Sequence, residues 1–286
     1  MPITGGASGV TVRRLALAKA GSLRLRVLSA LVLAPLPLIA IWFGGPLLPI
    51  LTILAAVVMA WEWGRLCGGG GLAIDAKVLV GVVAASVVAA SLLGIWAGAA
   101  LALGGAVAVW QIACRQHASA PLWLAAGSLW VGLPCIILLW LAQSGGGGRS
   151  TLLWMFVVVW ATDVGAYAIG RQLGGPLLAP RWSPRKTWAG LLGGIGCAAL
   201  AGWATAGVLG VAPVLPLVLI SAGLAVVEQF GDLAESVAKR RFGVKDASGL
   251  IPGHGGLLDR LDGLLAVIPA VALLILIGGG NVLTWR

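Results

Sequence analysis

The chain has 286 residues, of which 60% are hydrophobic and only 10% are charged, and its mean hydropathy is +1.04. Soluble domains are about 25% charged, and one core of this size could not bury so much apolar surface. An ordinary soluble enzyme, a disordered protein and a DNA-binding domain are therefore excluded. The net charge of +10 indicates membrane orientation and anionic ligands, not nucleic acid.

Long continuous apolar runs follow one another along the chain. A transmembrane helix needs about 20 apolar residues, whereas the strands of a porin-like barrel alternate apolar and polar residues. We predict an all-α, polytopic integral membrane protein with about nine transmembrane helices. In chain order the predicted spans are 25–44, 46–64, 77–96, 97–114, 120–142, 151–170, 188–211, 213–238 and 257–279.

The basic residues predict the orientation of these spans. With the N-terminus in the cytoplasm, the cytoplasmic segments hold 16 of the 19 Lys and Arg residues, and the C-terminus lies outside. This is the bias that the positive-inside rule describes. The predicted regions are a basic cytoplasmic tail at 1–24, N-terminal helices at 25–150, and a C-terminal region at 151–286 with cytoplasmic loops 171–187 and 239–256.

Tryptophans recur near the predicted span ends, among them Trp61 and Trp63. Tryptophan is enriched at membrane–water interfaces, where its ring lies among the lipid headgroups. We interpret these residues as interfacial anchors.

Acidic residues concentrate near the C-terminal spans. Glu228, Asp232 and Glu235 are spaced i, i+4, i+7 and therefore share one face of the predicted eighth helix. Asp259 and Asp262 share a face of the ninth by their i, i+3 spacing. Two helix ends that carry carboxylates are thus expected to meet at the cytoplasmic side.

Asp163 lies inside the sixth span, where an acid costs roughly 2.5–3.5 kcal/mol and is expected to face a polar interior. Carboxylates without nearby Cys or His clusters suit hard cations. Mg²⁺ takes one or two carboxylates and completes its coordination with water and substrate phosphate. The acids therefore predict a magnesium site.

Basic residues crowd the same region, and they are Arg185, Lys186, Lys239, Arg240, Arg241, Lys245 and Arg260. Cations around carboxylates suit a polyphosphate that is held between a metal ion and basic side chains. The turn His254-Gly255-Gly256 lets backbone N–H groups approach phosphate oxygens without a Cβ in the way.

Each of these residues also has a purely structural interpretation. The basic residues after the eighth span can be topology determinants, and Asp232 and Glu235 can form helix-surface ion pairs with Lys239. His254 can be an ordinary loop residue, and Asp163 can accept a hydrogen bond from a neighbouring helix. Their concentration in a chain almost free of charge favours a shared functional role.

The segment 236–262 carries the most specific motif of the chain. It reads Ser236-Val-Ala-Lys239-Arg240-Arg-Phe-Gly-Val-Lys245-Asp246-Ala-Ser248-Gly-Leu-Ile-Pro252-Gly-His254-Gly255-Gly256-Leu-Leu-Asp259-Arg260-Leu-Asp262. This segment closely resembles the signature of the phosphatidate cytidylyltransferases, also called CDP-diacylglycerol synthases.

Four other segments are similar to the same family, more loosely in the last case. They are Gly231-Asp232-Leu-Ala-Glu235-Ser236, Asp163-Val-Gly165-Ala-Tyr167-Ala-Ile-Gly170-Arg171, Ser183-Pro184-Arg-Lys186-Thr187-Trp188 and Ala60-Trp-Glu62-Trp63. Ala189 departs from the family pattern, which often has Glu or Gln there.

The resemblance implies the transfer of a cytidylyl group from CTP to phosphatidic acid, which yields CDP-diacylglycerol and pyrophosphate. It implies catalytic roles for Asp232, Asp259, Lys239 and Arg260, with Asp232 and Asp259 holding Mg²⁺, and it allows a second cation. It further implies substrate-binding roles for Asp163, Ser183, Lys186, Thr187, Ser236, Arg240, Lys245, Asp246, His254, Gly255, Gly256 and Asp262. The expected location is a bacterial inner membrane, with the site at its cytoplasmic face, lipids as neighbours and a homodimer left open.

Three other functions are alternatives for a membrane protein with these acids. A CDP-alcohol phosphatidyltransferase begins its motif D-x-x-D-G-x-x-A-R, which 259–266 copies before Val267 replaces the arginine. Its later paired aspartates are missing, so we reject it. A cation-coupled transporter would use the acids as an ion path but usually shows repeated halves, and none is visible. A non-catalytic scaffold would not need the signature.

Overall fold

The structure is a computed structural model, and it describes residues 29, 31–68, 71, 73–144 and 147–284. The helices are α1 (Pro35–Phe43), α2 (Leu47–Cys67), α3 (Ile74–Leu93), α4 (Ile95–Arg115), α5 (Pro121–Gln143), α6 (Gly148–Leu173), α7 (Trp188–Leu209), α8 (Val214–Arg241) and α9 (Leu258–Gly278). Strands β1 (Leu177–Ala179) and β2 (Ser183–Thr187) lie between α6 and α7, and a short 3₁₀ turn, Val282–Thr284, follows α9.

The prediction of an all-α polytopic membrane protein is confirmed. Helices α2 to α9 are each between 20 and 28 residues long and apolar enough to cross a bilayer. The first predicted span, 25–44, lies partly outside the described residues. Its described part contains the shorter apolar helix Leu31–Phe43, of which α1 is the last part.

Glycine and threonine set several helix boundaries. Gly94, with a φ of +96°, separates α3 from α4 at the weak break between the third and fourth predicted spans. Gly174 ends α6 with a φ of +62°, a conformation that side chains rarely adopt. Thr187 caps the start of α7, where its Oγ1 accepts a hydrogen bond of 3.1 Å from the Gly190 N–H.

A short β-hairpin lies between α6 and α7, where the sequence predicted only a loop. Strand β1 pairs antiparallel with β2, with Leu177 opposite Thr187 and Ala179 opposite Ser183. The hairpin carries Lys186 and ends at Thr187, the residue that caps α7. It therefore fixes the position of Lys186 relative to the helices.

Helix α8 ends at Arg241 and not at 238, so the first part of the predicted loop 239–256 is helical. Lys239 and Arg240 consequently belong to the last turn of α8. Cations in the last turn of a helix interact favourably with the negative end of its dipole.

Small residues let the helices of the C-terminal region approach one another. A Cβ on Gly165 of α6 would lie 2.5 Å from Cys197 Sγ of α7. A Cβ on Gly263 of α9 would lie 2.7 Å from Glu228 Cγ of α8. Close approach through small residues is typical of helix packing in membranes, and here it brings the acidic faces of α8 and α9 together.

The interpretation of Trp63 as an interfacial anchor is wrong. Its side chain is buried in the N-terminal bundle, where Nε1 donates a hydrogen bond of 2.7 Å to the carbonyl oxygen of Trp123. The two indole rings stack with their centroids 6.4 Å apart. Trp63 therefore joins α2 to α5 and does not face the lipid headgroups.

The orientation of the helices stays a prediction, and reporter fusions test it. We expect reporters in the hairpin segment 174–187 and in the segment 242–257 between α8 and α9 to report the cytoplasm, since both flank basic helix ends. A reporter in the segment 210–213 between α7 and α8 should report the opposite side. An external report from either of the first two segments would contradict the predicted orientation.

Candidate active site

Helices α6, α8 and α9 bring six acidic side chains together, and we call this group the carboxylate cluster. Its members are Asp163, Glu228, Asp232, Glu235, Asp259 and Asp262, with Lys186, Lys239 and Arg260 among them. The prediction that the acidic faces of the eighth and ninth spans meet is thus confirmed. With three basic side chains among six acidic ones, the cluster has an excess of acidic groups.

Lys186 ties the hairpin to α8. Its Nζ lies 2.6 Å from Asp232 Oδ2 and donates a hydrogen bond of 2.9 Å to Gln229 Oε1. Gln229 in turn donates to Glu228 Oε2 at 2.7 Å, and the hydroxyl of Ser236 donates to Asp232 Oδ1 at 3.4 Å. Asp232 therefore lies in a network of polar groups with its side chain 28% exposed.

Lys239 forms the second cationic centre of the cluster. Its Nζ lies 2.7 Å from Asp259 Oδ1 and 3.1 Å from Glu235 Oε1. Only 11% of the Lys239 side chain is exposed, and the two carboxylates are buried more deeply. The pairing of Glu235 with Lys239 is therefore an interior ion pair and not one at the helix surface. Loss of Lys239 would leave two buried carboxylates without this cation.

Asp259 also holds the segment 242–257, which we call the signature loop. Its Oδ2 accepts hydrogen bonds from the N–H groups of Ala247, at 2.9 Å, and Gly256, at 2.8 Å. Since Asp259 lies in the first turn of α9, its charge is also favourable to the helix dipole. Asp259 therefore joins an interior point of the signature loop to its C-terminal end.

Glu62 of α2 is a residue that the sequence analysis did not assign to the site. Its carboxylate is fully buried and accepts hydrogen bonds from the Ser248 hydroxyl at 2.5 Å and from the N–H groups of Leu257 at 2.9 Å and Leu258 at 2.6 Å. An acid inside an apolar span is a functional signal in itself, and that signal could have identified Glu62.

The two glycines after His254 let carboxylates approach the loop backbone. A Cβ on Gly255, whose φ is +85°, would lie 2.9 Å from Asp259 Oδ2. A Cβ on Gly256 would lie 2.5 Å from Glu62 Oε1. Such distances are far shorter than van der Waals contact, so both positions require glycine for the observed loop conformation. The phosphate-binding role expected for these glycines stays a prediction.

The steric requirement at Gly256 is testable. We expect Gly256→Ala to lower turnover about tenfold, because the added methyl group must displace Glu62 or the loop backbone. Gly249→Ala is the matched control, since a Cβ there meets no atom within 4 Å. Steady-state kinetics of both variants measure the difference. Equal activities of the two variants would contradict the requirement.

The remaining predicted site residues lie around the cluster in different settings. Arg240 is exposed, and it donates from Nε to the Trp182 carbonyl oxygen at 3.3 Å and from Nη1 to the Val244 carbonyl oxygen at 3.2 Å. Lys245 and Asp246 are exposed on the signature loop. Arg240 thus binds the hairpin to the end of α8, and the phosphate contacts expected for these residues stay predictions.

A cavity of about 450 Å³ reaches from the cluster into the apolar part of the protein. Asp163, His254 and Arg260 line its polar end. Side chains from α1, α2, α5, α6 and α9, such as Leu51 and Phe156, line the rest. The cavity therefore joins a charged site to an apolar compartment.

The donor set of the cluster suits a hard cation, because carboxylate oxygens are the ligands that Mg²⁺ prefers. Within the part of the chain that the structure describes, no three His, Cys, Asp or Glu side chains are arranged as a closed metal site. Asp232 is accessible to a hard cation, whereas both oxygens of Asp259 already accept hydrogen bonds.

Comparisons with known proteins agree with the sequence motifs. The chain matches the model of the cytidylyltransferase family over residues 24–277. It is 40% identical over 263 residues to the phosphatidate cytidylyltransferase of Brucella suis, covering 90% of this chain and 93% of that protein. It is 37% identical over 276 residues to the phosphatidate cytidylyltransferase of Pseudomonas aeruginosa, covering 90% of this chain and 98% of that protein. The chain therefore belongs to the cytidylyltransferase family.

Proposed function

We propose that the protein transfers the cytidylyl group of CTP to phosphatidic acid, forming CDP-diacylglycerol and pyrophosphate at the cytoplasmic face of a bacterial inner membrane. The observation that carries the proposal is the cavity that joins the carboxylate cluster to an apolar compartment. Phosphatidic acid has the same two parts, a charged phosphate and apolar acyl chains. The names of the relatives from Brucella suis and Pseudomonas aeruginosa support the same reaction.

The lipid substrate supplies its own nucleophile. An oxygen of the phosphatidate phosphate forms a bond to the α-phosphorus of CTP, and the bond between the α-phosphorus and the oxygen bridging to the β-phosphorus breaks. Pyrophosphate leaves with the electron pair of that bond. No activated Ser or Cys is needed, so the protein has to align the two phosphates and neutralise their combined charge.

Side chains in and around the cluster bind different parts of the two substrates. Arg260 and His254 lie at the polar end of the cavity and bind the lipid phosphate. Lys186 and Ser183 lie on the hairpin, beside α8, and bind the triphosphate of CTP together with the exposed Arg240 and Lys245. Lys239 offsets part of the negative charge of Glu235 and Asp259, which reduces the repulsion that two anionic substrates meet.

Asp232 would hold Mg²⁺, with Asp262 and Asp163 nearby. Asp259 would join it through Oδ1 or Oδ2, each of which already accepts a hydrogen bond. When bound, the ion neutralises charge on the triphosphate and orients it. The all-oxygen donor set of the cluster supports this assignment. A second cation and a homodimer are both compatible with this proposal.

The proposal is tested by pyrophosphate release from the purified protein in lipid nanodiscs that contain CTP and Mg²⁺. We expect release with phosphatidic acid and none with diacylglycerol, which lacks the attacking phosphate. A transporter or a scaffold would release none with either lipid. A CDP-alcohol phosphatidyltransferase would also release none, and it would release CMP in a separate sample that contains CDP-diacylglycerol and an alcohol.

A further inference from the structure

Glu62 joins the N-terminal helices to the signature loop across a large distance in sequence. Its Oε1 accepts hydrogen bonds from the Ser248 hydroxyl and the Leu257 N–H, and its Oε2 accepts one from the Leu258 N–H. The residue is 0% exposed. A buried carboxylate with several donors around it is a fixed structural point, because moving it would leave those donors without an acceptor.

We infer that Glu62 is a positioning residue for cytidylyl transfer, which sets the places of Asp259 and Arg260 by fixing the backbone immediately before them. This inference rests on the proposed function. Glu62 binds the N–H of Leu258, the residue next to Asp259. Its oxygens are directed at the signature loop and the start of α9, so it acts through these residues and not on substrate.

Asp259 and Glu62 hold neighbouring points of the same loop. Asp259 Oδ2 binds the N–H groups of Ala247 and Gly256. Glu62 accepts hydrogen bonds from the residues that follow Ala247 and Gly256 in the chain, namely from the Ser248 hydroxyl and the Leu257 N–H. Two carboxylates, one from α9 itself and one from α2, therefore hold the middle of the loop against its C-terminal end. A shift of the Glu62 carboxylate would be transmitted to the backbone that orients the Asp259 side chain.

A carboxylate is the group that this position requires. The Ser248 hydroxyl and two backbone N–H groups all donate, and only an ionised carboxylate offers acceptors on both oxygens with no donor of its own. The negative charge also lies at the start of α9, where the helix dipole favours it. The amide of glutamine would direct an NH₂ group at one or more of these donors.

The experiment compares full-length wild-type protein with Glu62→Gln in lipid nanodiscs. We expect Glu62→Gln to lower kcat about ten- to a hundredfold, with helix content and elution volume unchanged. Hydrogen–deuterium exchange should rise in the peptide that contains Leu257 and Leu258. Asp75→Asn is the matched control, because Asp75 is also a buried carboxylate, and it accepts a hydrogen bond from the adjacent Ala76 N–H at the start of α3.

Ser248→Ala provides a second test that removes only one of the three donors. We expect a smaller loss of kcat, about two- to tenfold, and this variant decides the question if Glu62→Gln does not fold. The inference is overturned if the folded variants keep kcat and KM within about twofold of wild type, or if exchange of the loop does not change. A purely stabilising role would lower the melting temperature and leave the kcat of the folded protein unaltered.

Failure of the positioning role of Glu62 is distinguishable from failure of the proposed function. If wild-type protein forms no CDP-diacylglycerol, the proposed reaction is wrong. The exchange measurement, which needs no substrate, still reports whether Glu62 fixes the loop. Unchanged exchange in Glu62→Gln would overturn the positioning role whatever the reaction is.

Discussion

Replacement of Asp232 by asparagine is expected to lower the rate of CDP-diacylglycerol formation about a hundred- to a thousandfold, while the protein still inserts into the membrane. The amide keeps the shape of the side chain but removes the charge that pairs with Lys186 at 2.6 Å and that would hold Mg²⁺. The rate is measured over a range of Mg²⁺ concentrations, since loss of a metal ligand raises the concentration required.

The control for Asp232→Asn is a check that the variant folds as the wild-type protein does. Elution volume and helix content should equal those of wild type, because the Asp232 side chain is partly exposed and asparagine has the same shape. Near-normal turnover at limiting Mg²⁺ would remove Asp232 from the metal site. A loss of activity that accompanies loss of folded protein would show a structural role instead.

Lys239→Arg is expected to lower turnover about ten- to a hundredfold. The Lys239 ammonium fits between Asp259 Oδ1 at 2.7 Å and Glu235 Oε1 at 3.1 Å in a nearly closed space. A planar guanidinium is larger and directs its donors differently, so it cannot keep both contacts. If Lys239 only kept the loop in the cytoplasm, arginine would serve equally well, since either cation obeys the positive-inside rule.

Two further lysines serve as comparisons for Lys239→Arg in steady-state assays. Lys77→Arg, at an exposed position near the start of α3, should keep full activity. Lys245→Arg tests the exposed signature loop, and a loss there would indicate a phosphate contact of fixed geometry. Full activity of Lys239→Arg would contradict the role of the buried ion pair and would support a topological role.

The sequence predicts the helices well because each span must be apolar over its own length. The break at Gly94 and the shared face of Glu228, Asp232 and Glu235 follow from local spacing, and the structure confirms both. The hairpin around Lys186 could not be predicted, since its short strands have no regular alternation of apolar and polar residues.

The partners of the charged residues depend on tertiary structure, which local spacing does not contain. The pair between Lys186 and Asp232 joins a hairpin to a helix, and Glu62 contacts Ser248 from a different half of the chain. The surroundings of Trp63 could not be predicted for the same reason. Its position near a span end predicted a lipid interface, whereas in the structure its indole ring stacks on Trp123 inside the protein.

The transfer of a specific phosphorus atom tests the central proposal most directly. Purified protein is incubated with phosphatidic acid, Mg²⁺ and CTP labelled with ³²P at either the α- or the γ-phosphate, and the lipids are then extracted. We predict that the α-label enters the lipid as CDP-diacylglycerol and that the γ-label stays in water-soluble pyrophosphate. Label from the γ-phosphate in the lipid, or no label in the lipid from either CTP, would contradict the proposal.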